Sequence, residues 1–577
     1  MTIEIPQYKH LPENQFLEYV DNKSYLLIGE NGSGKSNILE SVFKKYIEDD
    51  EKNVICFTSG QNELYSDIFN THKKNSSRFS QNENNVIKSY FFDKDWIRLL
   101  IFYSTSLKSN GLVRKFLLNK GIIEVDSFTN NDISTKLSFK FGVNKEYIDV
   151  IKNELLVEGR GEFVENSKRR TKQFSLLQRL INHKINSNYD FDEISDTITK
   201  RTIEINSDEV DVIFNSDTNS IFTFLSHSVL DRLSNIDIKS VKLYFDNSLE
   251  FNQLSDGEYQ LLSIYSLIDL FDSDNTIFLF DEIDSHLHYK NIQLLWNTLN
   301  NINGKVLTTS HIVDSIIVND FDTIKLIDDG NIQQNTQIEK FFDRLNTITS
   351  NDTYKFKVSS KLDNIVLVEN YTDWFIFREL CIIKMDSGYN EDVFNGIHYI
   401  NCSSGYENHT EVFGNNKLNW YKKYKEVISR SDSKVKNIFM ICDRDDLSIG
   451  SIKDNLIVTE TEEHKPILKK HSRTTPHLLS WKRKQIENYL ISKSMLDYYG
   501  MTESILNKLE RSFELTNTNL DCIQIQSLEI KDELKVLYSD ENGVDYLKLK
   551  EVIGKIPKEE ISEDIKIMYG YIKSKVE

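Results

Sequence analysis

The octapeptide Gly29-Glu30-Asn31-Gly32-Ser33-Gly34-Lys35-Ser36 is preceded by the apolar run Tyr25–Ile28 and followed by Ile38, Leu39, Val42, Phe43, Tyr46 and Ile47 at helical spacing. A strand, a glycine-rich turn and an amphipathic helix in that order imply a parallel α/β sheet with crossover helices. The turn carries a further meaning, because its spacing is the G-x-x-x-x-G-K-[ST] pattern. Glycines let successive backbone N–H groups wrap a phosphate at the start of a helix, the lysine reaches the terminal oxygens, and the serine hydroxyl can ligand magnesium. Gly29, Asn31, Gly32, Gly34, Lys35 and Ser36 are therefore candidate ligands of ATP, with Mg2+ expected at Ser36.

A chain of 577 residues holds two to four domains at about 100–200 residues each. Hydrophobic content of 39%, with 27 Tyr and 33 Phe, suffices for large cores and excludes a mainly disordered chain. Lys and Arg number 70 against 89 Asp and Glu, a net charge of −19, so nucleic acid could be held by local basic patches and not by the overall field. Cys56, Cys381, Cys402, Cys442 and Cys522 are far apart and odd in number, which disfavours a disulfide framework or a thiolate zinc site. No apolar run approaches a membrane span and Met1–Leu11 lacks a signal-peptide layout, so a soluble, cytoplasmic chain with no membrane partner is expected.

A second strand, Ile277–Phe280, runs into Asp281 and Glu282. An acid at that place can hold magnesium through water, and the next can polarise an attacking water. Shortly before it stands Leu254-Ser255-Asp256-Gly257-Glu258-Tyr259-Gln260, followed by an apolar helix. These residues resemble the signature motif of the ABC ATPase superfamily, and the order phosphate turn, signature, acidic strand is that superfamily's order. The resemblance implies that Ser255, Gly257 and Glu258 close over the γ-phosphate of a nucleotide held by another copy, giving a homodimer through ATP-sandwiched heads, with a higher oligomer left open. It also implies a D-loop residue at Asp284, a switch histidine at His311 after the strand Val306–Thr309, and a Q-loop glutamine at Gln61, for which a surface turn is an equal alternative. His286 and His288 are expected to be loop residues rather than metal ligands. Residues 62–245, with the basic stretch Lys168, Arg169, Arg170, Lys172 and Arg179, are expected to form a large helical insertion for dimerisation or sensing.

Beyond a polar segment at 346–360 a second α/β pattern begins. The strand Ile365–Val368 ends in Glu369 with Asp373 four residues on; Ile397–Asn401 ends in Cys402-Ser403-Ser404-Gly405; Ile438–Cys442 delivers Asp443-Arg444-Asp445-Asp446. Parallel strand ends share one edge of a sheet, so Glu369 and Asp443 would meet there, and an oxygen-only cluster suits Mg2+ or Mn2+. The pattern resembles the TOPRIM domain, with Glu369, Asp443 and Asp445 in the places of its acids. OLD-type (overcoming lysogenization defect) nucleases add an acid at the position of Asp373. The family's glycine after the first acid is Asn370 here. In the same resemblance Lys482 or Lys484 supplies charge at the phosphate and Glu487 a second metal ligand. Two basic-aromatic runs, Lys465–Lys484 with Trp481 and Trp420–Lys425, suggest contact with a phosphate backbone and stacked bases.

The expected architecture is thus an α/β chain: an ABC-type P-loop ATPase domain over 1–345, a linker at 346–360, and a TOPRIM-like domain with a helical C-terminal extension over 361–577. The implied activity is ATP-gated, Mg2+- or Mn2+-dependent cleavage of nucleic acid, DNA favoured and RNA, including tRNA, the alternative. Chains joining these halves resemble OLD-family proteins, many of which act in defence against bacteriophage, alone or beside partners such as a retron nucleic acid or a small protein. A nucleotide-switched sensor or scaffold with a non-cutting TOPRIM fold is the rival.

Overall fold

The computed structural model describes residues 2–20, 23–49, 51–60, 65–72, 88–92, 97–123, 137–164, 167–170, 172–184, 202–214, 236–245, 251–333, 352–405, 412–428, 433–509, 522–541 and 543–577. It divides into two compact units, Met1–Thr336 and Gln337–Glu577, each an α/β structure with a mixed sheet.

The strands of the first unit are β1 (Thr2–Ile5), β2 (Gln15–Glu18), β3 (Tyr25–Gly29), β4 (Asn53–Thr58), β5 (Tyr90–Phe92), β6 (Ser138–Val143), β7 (Thr202–Asn206), β8 (Ile236–Tyr244), β9 (Thr276–Asp281), β10 (Lys305–Thr309), β11 (Ile324–Asp328) and β12 (Asn331–Ile332). Seven form one sheet in the order β12-β11-β3-β10-β9-β4-β5, parallel except at the β11/β12 edge. Strands covered on both faces need no polar alternation, and β3 and β9 are buried at every position. The glycine-rich turn enters the helix Lys35–Tyr46, which buries Ile38, Leu39, Val42 and Phe43. Because β10 lies between β3 and β9, Leu307 pairs with Tyr25 on one side and Leu279 on the other, and the phosphate turn and the acidic strand end one strand apart.

Residues 62–245 are not a purely helical insertion. Tyr90–Phe92 extends the main sheet beside β4, the helix Ile97–Leu107 packs on the helix Asp256–Phe271, and β7-β6-β8 form an antiparallel sheet. The pattern behind β6 is two-residue alternation, with Phe139, Phe141 and Val143 turned inward. The basic stretch is largely answered by its own surroundings: Arg169 and Arg170 pair with Glu158, and Lys168 N–H donates to Glu154.

The second unit contains β13 (Asn364–Val368), β14 (His398–Asn401), β15 (Asn437–Cys442), β16 (Ile452–Lys453), β17 (Ile457–Val458) and β18 (Thr475–Ser480), in the order β14-β13-β15-β18-β17-β16. The first four are mutually parallel and the last two close the edge antiparallel. Leu367 pairs with Met440 and Cys442 with Ser480, so β13, β15 and β18 deliver their following residues to one edge. The helix Tyr371–Met385 packs on the C-terminal helix Glu563–Val576. Between helices and sheet, Phe377 meets the rings of Trp374, Phe394 and Trp481. Among the described residues no helix is long and apolar enough to cross a membrane.

Phe377 is fully buried, so Phe377→Ala removes a ring from a packed aromatic cluster and leaves a cavity. A loss of about 3–5 kcal/mol is expected in denaturant unfolding. An unchanged unfolding midpoint would show that this cluster does not hold the second unit together.

Candidate functional site

The phosphate turn has the backbone that its sequence calls for. Gly32 and Gly34 have φ of +83° and +99°, and a Cβ at Gly29 would stand 2.3 Å from Ser33 Oγ and 2.6 Å from Ile327 O. Lys35 Nζ donates to Gly29 O and Glu30 O, both at 2.9 Å, inside the turn it will have to leave to reach a phosphate. Ser33 Oγ is buried with no hydrogen-bond partner. A cradle closed by glycine, with an orphaned hydroxyl inside it, fits a phosphate group. Asn31 is exposed at the rim of the turn.

Asp281 closes the other side. Ser36 Oγ donates to its Oδ2 at 3.2 Å and Thr309 Oγ1 to its Oδ1 at 2.6 Å. Burial raises its carboxyl above the ordinary range, with the Thr309 bond opposing and the charge of Glu282 adding to the rise. Glu282 itself lies at φ +52°, its N–H donating to Thr309 Oγ1 at 3.0 Å. Its carboxylate stands 3.4 Å from His311 Nε2, and both side chains remain open to solvent. The ends of β3, β9 and β10 thus bring Lys35, Ser36, Asp281, Glu282 and His311 together.

Two of the expected nucleotide contacts are engaged in hydrogen bonds within the chain. Asp284 is 1% exposed and accepts from the hydroxyls of Ser310 and Ser315; Ser315 in turn accepts from Trp296 Nε1 at 3.0 Å. Burial pushes the Asp284 carboxyl up to about 6, and its bonds tie the loop after β9 to the segment after β10. Ser255 and Glu258 form a capping box at the start of Asp256–Phe271: Ser255 N–H and Oγ donate to Glu258 Oε2 at 3.1 and 2.9 Å, and Lys120 Nζ pairs with Glu258 Oε1 at 2.6 Å. The helix start is therefore occupied by the chain's own carboxylate, and Gly257 packs where a Cβ would meet His286 O at 3.0 Å. Gln61 lies outside the described residues. Sequence reasoning passed over Gln260, whose Nε2 donates to Ile283 O at 2.6 Å and ties the signature helix to the acidic turn. His286 and His288 are exposed in the loop.

In the second unit Glu369, Asp373, Asp443 and Glu487 gather at the strand-end edge. Asn370 caps the helix Tyr371–Met385 at φ −150°, an extended backbone open to any residue, and forms a capping box with Asp373. The glycine expected there is therefore not required by backbone geometry. Asp373, Asp443 and Glu487 are 2%, 3% and 3% exposed, and one oxygen of each has no hydrogen-bond partner. Burial, and then the charge of Glu487, push the Asp373 carboxyl up to about 7. Burial, then Asp373, Glu369 and Glu487, hold Asp443 well above the carboxylate range. Asp445, at φ +46°, is raised by burial and then by Glu369. Orphaned oxygens in an all-carboxylate set fit a divalent cation. The acids are gathered without closing, however: among the described residues no three His, Cys, Asp or Glu side chains are arranged to hold a metal ion.

The lysine at this edge is Lys531, absent from the sequence expectations, with Nζ 3.0 Å from Glu487 Oε1. Lys482 instead lies 3.8 Å from Asp564, and Lys484 pairs with Glu529. Nothing in the spacing marks Lys531, since a separate helix, Lys531–Lys535, carries it in. The aromatic residues of the basic runs are core: Trp481, Tyr421 and Tyr424 are buried, Trp420 stacks on Tyr424, and Arg483 is buried over the Tyr489 ring. Lys465, Lys469, Lys470 and Arg473 are exposed without a stacking platform among these rings.

Residues 24–317, just over half of the chain, match the family model described as "AAA domain, putative AbiEii toxin, Type IV TA system". Two solved structures are similar at 12% identity: an Smc head domain with an extended coiled coil bound to the C-terminal domain of ScpA, from Pyrococcus furiosus, covering 60% of this chain and 100% of that one at a TM-score of 0.22, and the recombination mediator RecF with ATP, covering 57% and 97% at a TM-score of 0.20. TM-scores this low carry no argument about activity. No curated protein matches.

The raised carboxyl of Asp373 has a consequence for stability. With a folded value of about 7 against 3.8 unfolded, the folded chain binds that proton more tightly; the resulting stabilisation is complete below about pH 4 and lost as the pH climbs through 7. Melting temperature should therefore fall over that window less steeply in Asp373→Asn than in the parent. Parallel profiles would contradict this.

Proposed function

The chain belongs to this AAA-domain family, and from that premise we propose that its first unit is an ABC-type ATPase whose nucleotide state governs a TOPRIM-like nuclease in the second. The observation that carries the nuclease half is the convergence of Asp373, Asp443 and Glu487, each with an orphaned buried oxygen, beside Glu369 and Lys531.

In the ATPase unit, Ser36 and Asp281 would hold Mg2+, and Lys35 would exchange the carbonyls of Gly29 and Glu30 for phosphate oxygens. Glu282 would take a proton from an attacking water, with His311 at 3.4 Å to fix the carboxylate. For Ser255 and Gly257 to reach a nucleotide on a second copy, the Glu258 cap must yield, so dimer closure and the release of the Lys120–Glu258 pair belong to one step.

In the second unit, Glu369, Asp373, Asp443, Asp445 and Glu487 would hold Mg2+ or Mn2+. Such a cation, when bound, supplies Lewis acidity to the phosphoryl oxygens and acidifies its water. Lys531 offsets negative charge at the Glu487 side, and the buried walls exclude bulk water from Asp443. The substrate class is nucleic acid, DNA favoured, with RNA the alternative. An OLD-type effector of phage defence needs such a cutting activity held in check until a trigger, which is the part assigned to the ATPase. The second reading, a switched scaffold that does not cut, is favoured by the acids' open arrangement and by the use of Asp373 as the partner of Asn370 in a helix cap.

Purified chain incubated with plasmid, linear and single-stranded DNA and RNA, with Mg2+ or Mn2+ and with or without ATP, separates the two. Metal-dependent cleavage is expected, with Asp443→Ala reducing it beyond the roughly 100-fold typical of losing an outer partner of a metal site, and Lys35→Ala abolishing its response to ATP. Cleavage unaffected by Asp443→Ala would overturn the assignment, and biological activity retained by that variant would establish the scaffold.

A further inference from the structure

Lys417, in the helix Asn415–Ile428, is 0% exposed. An ammonium taken out of water is retained when its environment uses its charge or its donors. Its Nζ donates to the hydroxyl of Ser404 at 3.0 Å, a neutral partner rather than a carboxylate. The backbone N–H of the same serine donates to Glu369 Oε1 at 3.2 Å. Two further bonds brace the turn that carries Ser404: Cys402 N–H donates to Val368 O at 2.7 Å, and Asn416 Nδ2 donates to Ser403 Oγ at 2.7 Å. A Cβ at Gly405 would meet the Asn416 amide at 2.5 Å, so turn and helix are in close contact there.

The turn after β14 is therefore fastened on one side to a buried cation and on the other to the first acid of the cluster. We propose that Lys417 is a positioning residue for the divalent-cation site: through Ser404 it fixes the turn so that one oxygen of Glu369 is held by the Ser404 N–H and the other is left for the cation. The proposal rests on reading the acidic cluster as a metal site. Lys417 acts on the cluster through Ser404 and is not itself a ligand of the cation. It stands at the Glu369 end of the cluster as Lys531 stands at the Glu487 end, and it differs in acting through another residue.

Outer partners of this kind typically change metal affinity by about 10–100-fold. The test is Mn2+ binding to the full chain, without nucleotide, followed by electron paramagnetic resonance, together with the Mn2+ concentration giving half-maximal cleavage. Asp443→Asn should lose the binding. Lys417→Met should weaken it by about tenfold or more and raise the half-maximal Mn2+ concentration, with the KM for nucleic acid unchanged. Ser404→Ala, which keeps the N–H to Glu369 and loses the hydroxyl, should shift both in the same direction; if Lys417→Met does not fold, this variant decides. Parent-like Mn2+ affinity in these variants, with Asp443→Asn still defective, overturns the role of Lys417 and leaves the metal site standing. Equal binding by parent and Asp443→Asn, or none by the parent, overturns both.

Discussion

Asp373, Asp443 and Glu487 lie almost wholly out of water at one sheet edge beside Glu369, and their mutual repulsion must be answered by something. Protons, Lys531 or a divalent cation can do so. Burial raises the affinity of Asp373 and Asp443 for protons, and Lys531 pairs with Glu487 while its charge also favours the ionised forms of Asp373 and Asp443. The arrangement is forced by register: parallel pairing of β13 with β15 and of β15 with β18 leaves the chain no other edge at which to put Glu369, Asp443 and the residues after Ser480. Stability and function pull in opposite directions here, and the aromatic cluster around Phe377 supplies packing that can offset the cost.

The first unit meets the same kind of constraint differently. Asp281 is buried as well, but Ser36 and Thr309 donate to it, so its charge is already partly answered before any ion arrives. Because β10 separates β3 from β9, Thr309 can reach Asp281 and the Glu282 N–H at once, and His311 follows two residues on to meet Glu282. The loop behind is tied down by Asp284 to Ser310 and Ser315 and by Gln260 to Ile283. The helix Asp256–Phe271 is thus hydrogen-bonded through Gln260 to the acidic turn.

The phosphate turn, Asp281 and Glu282 were legible in the sequence because each belongs to a contiguous pattern of a strand and its end, and His311 because the stretch after Val306–Thr309 resembles the ABC switch. Glu369 and Asp443 were legible as strand ends for the same reason, whereas the site roles of Asp373 and Glu487 came from the resemblance to OLD-type nucleases. Lys531, Lys417 and Gln260 were not, because packing brings them in from other elements and no local spacing records it. The capping role of Ser255 and Glu258 was hidden since the same short pattern serves a helix start and a phosphate contact equally well. Charged neighbours misled in Lys482-Arg483-Lys484, where Arg483 and Trp481 prove to be interior. In residues 62–245 the polar, Asn-rich text obscured β6, whose alternation is only six residues long.

The central claim is that the acids at the end of β13 and β15 take a divalent cation. Anomalous diffraction from crystals of the chain grown with Mn2+ tests it most directly. The account predicts an anomalous peak bounded by Glu369, Asp443 and Glu487, with the orphaned oxygens of Asp443 and Glu487 turned onto it. A fully ordered edge with no peak there, while a peak stands at Ser36 and Asp281 with bound nucleotide, would contradict it and leave the second unit a scaffold.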